Sequence, residues 1–170
     1  DQTPGYGLDP YCDEARRLIR KACGREDIDV QFLVGGTQTN TTIICTALRP
    51  YQGVLTAASG HINVHESGAI EATGHKVLAL PCDHAGKITA YEAHMNDGSS
   101  EHMVQPGMVY ISNPTENGTI YYKQELEAIS HVCHECGMPL FLDGARLGYG
   151  LMAADNDVTL EDIARLCDVF

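Results

Sequence analysis

The chain has 170 residues, 44% hydrophobic and 20% charged, which is enough for one domain with a real apolar core. A formal charge of −12 repels phosphate backbones and anionic lipid, so neither nucleic acid nor a membrane surface is an expected partner. The seven cysteines are odd in number and irregularly spaced, which points to free thiols in a reducing cytoplasm, and no apolar run approaches the ~20 residues of a membrane helix. The first residues, Asp1-Gln2-Thr3-Pro4-Gly5, lack the basic and apolar segments of a signal peptide. Without an initial Met, the chain reads as a piece of a longer one.

Taken in order, Pro10 opens a helix capped by Asp9, carries Ala15, Leu18, Ile19 and Ala22 at helical spacing, and closes at Gly24. Residues 30–34 read as a strand ending in Gly35-Gly36, and a helix over 39–48 is stopped by Pro50. Residues 54–58 form a second strand, 63–73 a helix, and 76–80 a third strand. The polar stretch 83–105 holds one helix near Tyr91. A fourth strand covers 108–112, and 123–136 is the clearest helix, with Leu126, Ile129, Val132 and Cys133 on one face. A fifth strand, 140–142, ends at Asp143. Thr159 and Asp162 form the capping box of a last helix, and Asp168-Val169-Phe170 enters a further strand. This alternation predicts one α/β domain around a mostly parallel sheet, with ligands beyond the carboxyl ends of the strands.

The residues at those ends carry the chemistry. Gly35-Gly36-Thr37-Gln38-Thr39-Asn40 leads into a helix whose free N–H groups favour an anion, although Gly-Gly before a helix is often a simple turn. It is neither a Walker loop nor the dinucleotide fingerprint. Ser59-Gly60-His61 follows the second strand; His61 is read either as a group that stacks on a planar cofactor or transfers protons, or as a capping or surface residue. Ser112-Asn113-Pro114-Thr115-Glu116-Asn117-Gly118 is a polar turn that points Glu116 into the same mouth. Asp143-Gly144-Ala145-Arg146 ends an apolar strand with an acid in need of a cationic partner, either Arg146 or a protonated pyridine nitrogen.

In this order, these blocks resemble the threonine aldolase and β-eliminating lyase family of fold type I pyridoxal-phosphate enzymes, over essentially the whole chain. The matching residues are Gly35 to Asn40, His61 with Glu66-Ser67-Gly68, Asn113 to Gly118, and Phe141 to Arg146. The resemblance implies a three-layer αβα sandwich, the fold type I large domain, within a homodimer or homotetramer. It implies pyridoxal 5'-phosphate as cofactor, with Gly36, Thr37 and Gln38 at the phosphate, His61 on the ring, Asp143 at the ring nitrogen, and Arg146 binding the substrate carboxylate. The implied reaction cleaves a β-hydroxy amino acid, threonine or allo-threonine, into glycine and an aldehyde, with His61 or Glu116 as base.

Two departures from the family pattern stand out. Glu116 replaces a histidine common at that turn, and the Schiff-base lysine is expected just past Phe170, so the 170 residues alone are not expected to turn over. Lys21, Lys76, Lys87 and Lys123 lie far from that slot. The same contacts also serve β-elimination or transamination, and the missing lysine formally fits a non-catalytic binding domain. The abrupt ends favour a segment of an enzyme. A zinc site at His131, Cys133, His134 and Cys136 is rejected, because these residues lie on different faces of one helix.

Overall fold

A computed structural model of the chain describes residues 2–89 and 101–170. The helix expected near Tyr91 lies outside them. The elements are α1 (Pro10–Cys23), α2 (Gly36–Ala47), β1 (Gln52–Ala57), α3 (His61–Val64), β2 (Val77–Leu80), β3 (Gln105–Ser112), α4 (Lys123–Glu135), β4 (Leu140–Asp143), α5 (Leu147–Leu151) and α6 (Leu160–Leu166).

The four strands form one parallel sheet in the order β2-β1-β3-β4. Val54, Met108, Tyr110 and Phe141 point to one face, where they pack with Ile44 and Leu48 of α2 and Ile62 of α3. Leu55, Val109, Ile111, Leu140 and Leu142 point to the other, against Leu126, Ile129 and Cys133 of α4 and Ile163 of α6. Strands buried on both faces explain the unbroken apolar runs, and they give the expected three layers. After β1 the chain adds β2 on one side, then returns to lay β3 on the other. The crevice at the carboxyl ends of β1 and β3 is therefore a topological switch point.

Local signals hold where they rest on caps. Asp9 Oδ1 accepts from the N–H groups of Tyr11 and Cys12, Pro10 fills the first turn, and Gly24 closes α1 at φ 64°. Thr159 and Asp162 cap α6 reciprocally. Val169 forms an isolated parallel bridge to Phe141 of β4.

Two expectations fail. Residues 30–34 are no strand; they have no regular structure and pair with no strand of the described sheet, tied instead to α1 by Arg16 Nε donating to Val30 O at 3.1 Å. Phe32, Leu33 and Val34 stay exposed, so apolar character there reports no local core. The helix over 63–73 is also absent. α3 stops at Val64, Ser67 and Gly68 turn the chain at φ 54° and 75°, and only a 3₁₀ turn, Glu71–Thr73, follows. Helix α2 begins earlier than expected, with Gly36 inside its first turn.

Candidate active site

Gly36, Asn40, His61, Glu66, Ser112, Glu116, Asp143, Ala145 and Arg146 line a cleft of about 60 Å³ at the carboxyl end of the sheet. Four separate elements meet there: the start of α2, the turn after β1, the turn after β3, and the end of β4. A larger cavity of about 730 Å³, beside residues 25–32 and the end of α6, contains none of the candidate residues. The arrangement of reactive groups, and not size, singles out the smaller cleft.

Of the seven residues singled out in the sequence, Gly36, His61, Glu116, Asp143 and Arg146 share this cleft. Thr37 and Gln38 sit beside Gly36 in the exposed first turn of α2, but their side chains do not line it. The Gln38 amide oxygen is committed to the Val34 N–H at 3.1 Å. Gly35 caps α2 without a side chain, so the helix start presents free N–H groups and its positive dipole end.

Asp143 is surrounded by neutral donors. Its Oδ2 accepts the Tyr110 hydroxyl at 2.5 Å and Asn40 Nδ2 at 3.2 Å, and its Oδ1 accepts the Ala145 N–H at 2.9 Å. Burial, reinforced by the Asp143 charge, pushes the Tyr110 hydroxyl far above its ordinary range, so it remains a donor. Arg146 turns away, with Nη2 donating to Pro114 O at 3.3 Å and standing 3.7 Å from Glu116 Oε1. Of the two partners considered for Asp143, the arginine is therefore not the one used. Ser112 Oγ donates to the same Glu116 oxygen at 2.7 Å.

A second carboxylate stands close by. Glu66, its side chain fully buried, has Oε1 2.8 Å from His61 Nδ1, and the same oxygen accepts from Asn40 Nδ2 at 2.7 Å. Its Oε2 is buried without a hydrogen-bond partner. Ligand atoms of His61, Glu66 and Asp143 lie within 4.8 Å of one another. None of the four lysines lines the cleft; Lys87 pairs with Glu125 and Lys123 with Asp162. On α4, Cys133 faces the core with its thiol pushed up to about 12 by burial, while His131 and His134 face outward onto Glu135 and Asp168.

The family model for β-eliminating lyases matches residues 1–170. The chain belongs to the β-eliminating lyase family. Its fold superposes on a threonine aldolase from Leishmania major with a TM-score of 0.94 and 54% identity, covering 98% of this chain and 49% of that one. A low-specificity L-threonine aldolase from Pseudomonas aeruginosa is 33% identical over 147 residues, 83% of this chain and 41% of the relative. The chain thus spans under half the length of both relatives. A more distant structure, of the pyridoxal-phosphate-bound C-S lyase from Staphylococcus hominis, shares the fold at a TM-score of 0.58 and 11% identity.

In this β-eliminating lyase chain, sequence reasoning assigned no role to Asn40, Glu66, Ser112 or Tyr110. Asn40 had a usable signal: it lies four residues after Gly36, hence on the same side of α2. Tyr110 had none, because a tyrosine in an apolar strand reads as core, and only the β3–β4 register sets its hydroxyl beside Asp143.

Proposed function

We propose that the intact protein is a pyridoxal-phosphate-dependent carbon–carbon lyase that splits a β-hydroxy amino acid, threonine or allo-threonine, into glycine and an aldehyde. Residues 1–170 form part of its cofactor-binding large domain, and the Schiff-base lysine comes from the remainder. Threonine aldolase is the name carried by the Leishmania and Pseudomonas relatives.

The setting of Asp143 carries the reading. Among the described residues this carboxylate has neutral donors and no ion pair, so it suits a protonated ring nitrogen. The uncapped start of α2, reached by the same cleft through Gly36, suits a phosphate. Glu66, with its Oε2 buried and unpartnered, sets a second carboxyl group beside Asp143, which suits an occupant that carries donors. The donor set therefore fits the cofactor at both ends.

Bound pyridoxal phosphate supplies an electron sink for the pair released at Cα. Gly36 and Thr37 would hold its phosphate with their backbone N–H groups at the start of α2. Gln38 contributes only its backbone, since its side chain is tied to Val34. Asp143 keeps the ring nitrogen protonated, with its own orientation set by Tyr110 and Asn40. His61, lining the same cleft, would be the imidazole that meets the ring. Arg146 exchanges its loose contact with Glu116 for the substrate carboxylate, which its planar pair of donors matches. Glu116 or His61 then takes the β-hydroxyl proton. The Cα–Cβ bond breaks, its electron pair stays with Cα, Cβ departs as the aldehyde carbonyl, and a proton added at Cα completes glycine.

Incubating the full-length protein with L-threonine, L-allo-threonine and L-serine tests the reading. Glycine and acetaldehyde in equal amounts from threonine support it. A 2-oxo acid with ammonia would move the protein to β-elimination.

We also place the protein in a reducing cytoplasm as a homo-oligomer. All seven cysteines are free, and no described helix is long and apolar enough to cross a membrane. Tyr149 and Met152, at α5 beside Arg146, are 82% and 84% exposed, apolar surface suited to a neighbouring copy.

A further inference from the structure

We propose that Glu66 is a positioning residue, whose buried carboxylate holds the His61 imidazole with its proton on Nδ1 and leaves Nε2 as the basic atom facing the cleft. This deepens the reading above and rests on it, because it takes His61 as the imidazole that meets the cofactor.

The break in the expected helix creates the pair. On a continuous helix, residues 61 and 66 would point roughly 140° apart. Instead α3 ends at Val64, and the left-handed turn at Ser67 and Gly68 folds Glu66 beneath the ring five residues before it. The result is a 2.8 Å contact between Glu66 Oε1 and His61 Nδ1. The Glu66 side chain is 0% exposed and that of His61 38%, so the carboxylate end of the ring is sealed while the rest meets the cleft.

Donor bookkeeping then sets the tautomer. An ionised carboxylate only accepts, so Nδ1 must carry hydrogen in both the neutral and the protonated ring. Among the described residues Nε2 has no hydrogen-bond partner, which leaves its lone pair available whenever the ring is neutral. A free histidine side chain prefers the opposite arrangement, with the proton on Nε2, so the contact imposes a state the ring would not choose alone. Asn40 locks the carboxylate itself: the two hydrogens of its amide serve Glu66 Oε1 and Asp143 Oδ2. The imidazole and the ring-nitrogen carboxylate are thereby held in one frame, as outer partners commonly hold functional histidines.

The test is ¹⁵N NMR of the full-length protein with ring-labelled histidine, the His61 signal being identified by its loss in a His61→Gln variant. Wild type should show the proton on Nδ1 above the imidazole titration. Glu66→Leu, which removes the acceptor, should move it to Nε2 and lower kcat about 10–100-fold, with KM for the amino acid changed less than about threefold. Glu66→Gln keeps a carbonyl acceptor and should retain the wild-type tautomer and most of kcat. A wild-type ring protonated on Nε2 would overturn the proposal even if Glu66→Leu failed to fold. So would Glu66→Leu that keeps the proton on Nδ1 at full kcat. The tautomer is read without substrate, so a tautomer switch in a protein that cleaves no β-hydroxy amino acid would uphold this pairing while sinking the activity.

Discussion

Tyr110 on β3 donates its hydroxyl to Asp143 at the end of β4 across the parallel register. Tyr110 is paired with Phe141, and Asp143 stands two residues further on, hence on the same face of the sheet. That face is the one covered by α2, which brings Asn40 to the same carboxylate oxygen. The sheet thus aims Asp143 by backbone pairing before any ligand arrives.

Removing the hydroxyl with Tyr110→Phe leaves Asp143 short of one charge-assisted hydrogen bond. We expect a loss of about 1.5–3 kcal/mol in unfolding free energy, measured by urea denaturation. Stability equal to wild type would show that water replaces the phenol there at no cost.

Asp143→Asn keeps shape but not charge, and its NH2 must face donors, either Ala145 N–H or Tyr110 and Asn40. In the full-length protein it should lower turnover at least about 100-fold, because a neutral amide cannot hold the ring nitrogen protonated. Folding stability should fall by about 1–3 kcal/mol, since at least one of these donors loses its acceptor. Near-normal turnover would remove Asp143 from the proposed role.

The turn that delivers His61 is tightly packed. A Cβ at Gly60 would stand 2.9 Å from Ala57 O and closer still to Thr56 Oγ1. Gly60→Ala should therefore destabilise the protein by about 1–3 kcal/mol and displace His61, visible as a lower thermal midpoint together with weaker cofactor retention. A midpoint unchanged within error would mean that the turn yields freely.

Asp162 offers a prediction about pH. Lys123, 2.7 Å away, holds its carboxyl well below the ordinary carboxylate range, helped by Thr159 and Arg165. A depressed folded value means that the stabilisation is complete above the unfolded carboxylate value and fades as pH falls through the folded one. Asp162→Asn should cost about 1–2 kcal/mol at pH 7, and the gap to wild type should begin to narrow only below roughly pH 4 and shrink steadily with further acidification. An unchanging gap between neutral and acid conditions would assign the effect to shape alone.

Much of this was legible along the chain, where the causes are local. Asp9 with Pro10, Gly24, and Thr159 with Asp162 are cap signals read within four residues, and α1 and α6 start where they say. The apolar runs of β1 to β4 needed only burial on both faces. The misreadings arose where tertiary contacts outweighed local preference. Residues 30–34 have the composition of a strand, yet none of the described strands pairs with them. Residues 63–73 have helical spacing, yet Glu66 is drawn toward His61 and Asn40.

By itself the sequence determined the parallel α/β layering, most of the element order, and a set of strand-end residues, Gly36, His61, Glu116, Asp143 and Arg146, that one cleft gathers. Those follow from periodicity, capping and residue type, all short-range properties of a polymer. Only the tertiary structure decided that Asn40 joins two carboxylates, that Tyr110 serves Asp143, and that Arg146 leans toward Glu116. The partners in those contacts lie 26 to 103 residues apart, and sheet order and register bring them together, which no local pattern encodes.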